Sequence, residues 1–142
     1  MEFVFDTSKK GLETVMKDYE AICMSFIWET GEEGVTTSKA WLNVNKVLME
    51  EEKTISRASI IKYLNNMFEK GILRYISKAG KGGYHRVYYP VYDEAEFKEH
   101  IARQIIENLM TEFPEETDTA LLKIKNEGTG KAEARGHPGS QS

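Results

Sequence analysis

Ser56-Arg57-Ala58-Ser59-Ile60-Ile61-Lys62-Tyr63-Leu64-Asn65-Asn66-Met67-Phe68-Glu69-Lys70-Gly71 is the stretch whose reading decides the fold. Ser56 has the chemistry of a helix N-cap, because its hydroxyl can accept from a backbone N–H of the first turn. Ile60, Leu64, Met67 and Phe68 recur at three- and four-residue spacing and make one apolar stripe. Gly71 fits the left-handed residue that ends such a helix. Two runs rich in tyrosine and branched residues follow, at 72–78 and 84–90, joined by Ala79-Gly80-Lys81-Gly82-Gly83. They predict a β-hairpin with a mobile tip.

Working outward, Leu12, Val15, Met16, Tyr19, Ile22, Cys23, Phe26 and Ile27 share the stripe of a first helix that Gly31 stops. Thr37 or Ser38 caps a second helix with Trp41, Val44, Val47 and Leu48 inward, which runs out in Glu50-Glu51-Glu52. Beyond the hairpin, Asp93 and Glu96 have the spacing of a capping box. They open a fourth helix that carries Phe97, Ile101, Ile105, Ile106, Leu109, Met110 and Phe113 and ends at Pro114. A short helical turn fits residues 119–124, and from Glu127 the chain is Gly, Ala, Ser and charge without periodicity, the composition of a disordered tail. The expected fold class is mainly α with a small β-hairpin wing (α+β). It comprises a winged helix-turn-helix domain with an N-terminal helical extension over 1–91, a dimerisation helix over 92–114 and a tail over 115–142.

The 142 residues carry 19 basic and 23 acidic side chains, and a net charge of −4 argues at face value against a nucleic-acid partner. The distribution reverses that inference. Residues 53–91 hold eight basic residues and one acidic residue, Glu69, for a net +7, while the remaining 11 basic and 22 acidic residues leave −11 elsewhere. A polyanion feels the local field within a Debye length of about 10 Å at 0.1 M salt. The basic segment is also the third helix and the hairpin, the elements that a winged helix-turn-helix protein lays in the major groove and along the backbone.

With Ile60, Leu64 and Met67 inward, the 100° step per residue places Ser59, Lys62 and Asn66 on one exposed strip, with Arg57 at the helix N-terminus. Arginine can grip guanine and asparagine can grip adenine bidentately, and serine or lysine can meet base edges or phosphate. The small Ala58 permits close approach. Asn65 is read as satisfying nearby backbone. In the hairpin, Lys78, Lys81, His85 and Arg86 place charge beside phosphates, and Tyr84 can stack or hydrogen-bond there. Tyr75, Tyr88 and Tyr89 are expected to pack the strands against the helices.

Other chemistries find no foothold. The single Cys23 excludes an internal disulfide framework. His85, His100 and His137 are too widely separated to suggest a metal site, and nothing calls for a cofactor. The glycines of the hairpin miss the spacing of a phosphate loop. No nucleophile, base and orienting acid present themselves, so no enzyme is expected. The chain has no apolar run near the roughly 18 residues of a membrane span. Its start, Met1-Glu2-Phe3-Val4-Phe5-Asp6, lacks the pattern of an export signal, and a cytoplasmic location is expected.

These residues resemble the penicillinase-repressor (BlaI/MecI-type) family within the broader MarR-like winged-helix superfamily. The segment 20–32, with a methionine-containing helix ending in Trp28 and then Gly31, is similar to that family's first helix. Residues 59–73 resemble its recognition helix and the start of its wing, and Arg86-Val87-Tyr88-Tyr89-Pro90 resembles the returning wing strand. The resemblance covers about residues 18 to 113 and implies a homodimeric repressor on an inverted-repeat operator. The linker between the second and third helices is longer and more acidic than the family pattern, and the tail lacks a cysteine pair. Independently, the apolar stripe at Phe97, Ile101, Ile105, Ile106, Leu109, Met110 and Phe113 is wider than one docking face needs, which points to a homodimer. The expected partners are therefore a double-stranded DNA operator and a second copy of the chain. A rival reading gives the basic face to an acidic protein partner.

Overall fold

The computed structural model describes residues 4–136, and their side chains through residue 128. The tail beyond residue 136, with His137, and the first three residues lie outside the described residues. Among the described residues are five α-helices and one small antiparallel sheet: α1 Asp18–Thr30, β1 Val35–Thr36, α2 Thr37–Leu48, α3 Arg57–Glu69, β2 Leu73–Gly80, β3 Gly83–Pro90, α4 Glu94–Glu112 and α5 Pro114–Gly136. This is an α+β winged helix. None of these helices is long and apolar enough to cross a membrane.

The chain divides into two compact units, the first ending at Phe97 and the second beginning at Lys98. Local chemistry sets the helix boundaries of the first unit. The first helix begins at Asp18, later than its apolar spacing predicts, because Gly11–Thr14 forms a 3-10 turn before it. Gly31 ends it at φ 63°. The cap of α2 is Thr36, one residue before the predicted pair, and its Oγ1 accepts from the Lys39 N–H at 3.2 Å. Ser56 caps α3 as expected, accepting from the Ser59 N–H at 3.1 Å. The Asp93–Glu96 box closes reciprocally, at 2.9 and 2.8 Å.

The core of this unit is formed by Cys23, Met24 and Ile27 of α1, Ala40, Val44 and Leu48 of α2, and Ile60, Tyr63, Leu64 and Met67 of α3, with Val87 and Tyr88 of β3. Two expectations about the stripes are corrected. Phe68 is 40% exposed and instead stacks edge-on to Tyr75 at 4.8 Å, while Tyr63 takes the inward place on α3. Val47 is likewise exposed, and Ala40 fills that side of α2.

The hairpin strands pair from Leu73↔Pro90 to Gly80↔Gly83, so the tip is only Lys81 and Gly82, tighter than the five-residue loop expected. A third strand escaped the sequence reading. Val35 and Thr36 pair with Tyr88 and Val87, giving the order β1-β3-β2. Gly34 makes this possible: it is buried at φ 73°, and a Cβ there would lie 2.5 Å from Val87 Cγ1 and 2.7 Å from the Tyr89 ring.

Phe97 is fully buried, with its ring 5.4 Å from that of Trp28, whose indole N–H donates to the Tyr92 carbonyl at 2.9 Å. The first turn of α4 thus belongs to the first unit. In the second unit, α5 replaces the short turn and disordered tail expected over residues 115–136. Pro114 does end α4, and it then serves as the first residue of the next helix, where its missing N–H costs nothing. Glu115 and Glu116 complement the dipole of that first turn.

Candidate nucleic-acid interface

A concave surface of about 610 Å³ lies where the N-terminus of α2, one side of α3 and the hairpin meet. Thr36 lines it from the end of β1, Thr37 and Ser38 from α2, Arg57, Ile61 and Asn65 from α3, and Lys81, His85, Arg86 and Tyr88 from the hairpin. Arg57, Ile61 and Asn65 follow one another at four-residue spacing, which on an α-helix makes a single stripe. The Arg57 guanidinium donates to the Ser38 hydroxyl at 2.8 Å and so bridges α3 to the start of α2.

The wing is fixed to α3 by a compact polar cluster. Arg86 Nη1 donates to Asn65 Oδ1 at 2.9 Å and to the Tyr88 hydroxyl at 3.4 Å, and that hydroxyl donates to the same Asn65 oxygen at 3.1 Å. The guanidinium also lies 4.1 Å from the centre of the Tyr75 ring. Its hydrogen bond to Tyr88 holds the Arg86 pKa above its ordinary value, so the cation persists at any working pH. Asn65 is thus structural, as the sequence suggested, but its partners are the side chains of Arg86 and Tyr88 rather than nearby backbone. No local sequence signal announces a contact across 21 residues.

The remaining predicted residues divide. Lys81, His85 and Arg86 meet Arg57 in the concavity; Ala58, Lys62, Lys78 and Tyr84 are exposed outside its lining. The Ser59 hydroxyl lies 2.9 Å from that of Ser56 and belongs to the helix cap. Asn66 lies one turn after Lys62 on α3 and also lines a different concavity, with Tyr19, Lys53, Met67 and Lys70. The basic segment also thins at its start. Lys53 is paired with Asp18 at 3.3 Å and Glu51 at 3.4 Å, away from the hairpin surface.

The sequence reading passed over Ile61 and the Thr36-Thr37-Ser38 turn. The step of 100° from the buried Ile60 could have flagged Ile61 as outward. The role of the turn depends on the tertiary placement of α2, which no local pattern reports.

Comparison with known families decides the remaining point. The family model for the penicillinase repressor matches residues 16–128, most of the chain. The chain belongs to the penicillinase repressor family. Comparison with curated proteins gave no match. Membership of a family of DNA-binding transcriptional repressors agrees with a basic hairpin and a capped helix that together line one concave face, and it makes this chain a regulator by family. In this member of the penicillinase repressor family, part of α3 and part of the hairpin line one concave face.

Proposed function

We propose that this chain represses transcription as a homodimer on a pseudo-palindromic operator. It sets α3 in the major groove and the hairpin along the backbone or minor groove, so that occupancy blocks the transcription machinery sterically. The observation that carries this reading is the Asn65–Arg86–Tyr88 cluster, which holds the basic hairpin against α3 so that both can engage one duplex. Arg57, Lys62, Lys78, Lys81, His85 and Arg86 supply positive charge or hydrogen-bond donors for phosphates and bases.

The dimer rests on α4. With Phe97 and Ile101 buried within one chain, the exposed apolar residues are Ile106, Leu109, Met110 and Phe113, and Ile105 is half-buried beside them. A twofold partner over this stripe would present two reading helices to half-sites about 34 Å apart, one helical turn of DNA.

The test is a titration of the full chain against a duplex selected from a random pool, in excess competitor and at several salt concentrations. Specific binding above the nonspecific background is expected, and Lys81→Ala should reduce the salt slope by about one unit. If combined Lys62→Glu and Lys81→Glu reversal leaves both affinity and slope unchanged, the proposed surface is wrong. Affinity no better than for competitor would return the basic face to an acidic protein partner.

A further inference from the structure

Ile61 is 42% exposed on a helix whose neighbouring Ile60 is fully buried. Among the described residues it is the one aliphatic side chain lining the concavity between α3, the start of α2 and the hairpin, where its companions are hydroxyls, an amide, cations, an imidazole and a phenol. It also stands in the middle of the α3 stripe, one turn after Arg57 and one turn before Asn65. Both polar neighbours are engaged within the protein: Arg57 with Ser38 at 2.8 Å, and Asn65 with Arg86 at 2.9 Å. The centre of the stripe is therefore apolar, flanked by polar groups that are already partnered.

We infer that Ile61 is a specificity-determining residue that reads the C5-methyl group of a thymine. The inference rests on the DNA reading proposed above and deepens it. Along the major-groove floor the four base pairs differ in donors and acceptors, and the thymine methyl is the apolar feature that a branched aliphatic side chain can recognise. A cytosine amino group or guanine acceptor at that point would be covered by Ile61 without a hydrogen-bond partner, which discriminates against it. The contact needs no ordering of the helix, since Ile61 lies in the second turn of α3, behind the Ser56 cap.

The experiment removes one methyl group from the DNA and leaves every hydrogen-bonding atom in place. A duplex selected by the full-length chain is resynthesised with each thymine replaced singly by deoxyuridine. Wild-type chain should lose affinity roughly fourfold at one thymine per half-site, the value of one buried carbon group. Ile61→Ala should bind the thymine and deoxyuridine duplexes alike, and Ile61→Val should retain most of the discrimination. The inference is overturned if wild-type protein is indifferent to every replacement, or if Ile61→Ala keeps the wild-type ratio. Failure to select any duplex would overturn the DNA reading itself, and this inference with it, a result distinct from tight binding without methyl sensitivity.

Discussion

Gly34 carries more of the fold than its size suggests. A side chain there would suffer both the positive φ of 73° and a collision with Val87 and Tyr89, so no relaxation of one relieves the other. Gly34→Ala should cost about 2–4 kcal/mol of stability, measured by denaturant unfolding, combining left-handed strain with overpacking. A loss below about 0.5 kcal/mol would show that β1 is not held against β3 as described. Cys23 behaves in the opposite sense, as a group made inert by its surroundings. Burial, with a smaller contribution from Glu20, pushes its thiol pKa up to about 12. Because the folded pKa lies above the unfolded one, the stabilisation is complete below the ordinary value of 9.0 and is lost as pH rises towards 12. Folded protein should therefore react with a thiol reagent at pH 8 only as fast as it unfolds, and its stability should decline from about pH 9 upward. Rapid labelling of the native chain would contradict that burial.

Between α2 and α3 the connection is organised by one backbone unit. The Ile55 N–H donates to Asn45 Oδ1 at 2.8 Å, while its carbonyl accepts from Asn45 Nδ2 at 3.1 Å and from the Trp41 indole at 3.0 Å. Asn45→Ala strips partners from both groups of Ile55 and should destabilise the protein by about 1–3 kcal/mol in thermal or denaturant unfolding. Unchanged stability would mean that water replaces the amide freely. This bracing was not legible in the sequence, since an asparagine on a helix face looks the same whether it meets solvent or a distant backbone. What could be read were features with local causes: the Ser56 cap, the Asp93–Glu96 box, the Gly31 stop and the paired strand runs. The two-residue β1 lacked the length to show alternation, and α5 lacked a stripe. Its Leu122 and Ile124 are exposed, and a helix without an apolar face leaves no periodicity to detect. At the candidate site, the charge of the hairpin was visible in advance. The second concavity that Asn66 lines depended on which elements flank α3, whereas the outward turn of Ile61 followed from the 100° step past the inward Ile60.

For the whole molecule, the segregation of charge and the exposed end of α4 set the behaviour in solution. Phe113 is 57% exposed in the single chain, so under the homodimer proposed above Phe113→Asp should leave the fold intact while shifting sedimentation equilibrium from dimer to monomer. A dimer of wild-type strength in that variant would move the twofold interface elsewhere. The variant should also weaken binding to a two-half-site duplex far more than to a single half-site, as expected when one half-site is reached through the other. The bracing of Arg86 between Asn65 and the Tyr75 ring has a kinetic consequence. With the hairpin stem already ordered, the loss of chain freedom on meeting a duplex is confined to the few residues around Lys81 and Gly82. Encounter should then proceed as rigid-body docking without a folding step, at a rate set by diffusion and by the attraction between the positive surface and the polyanion.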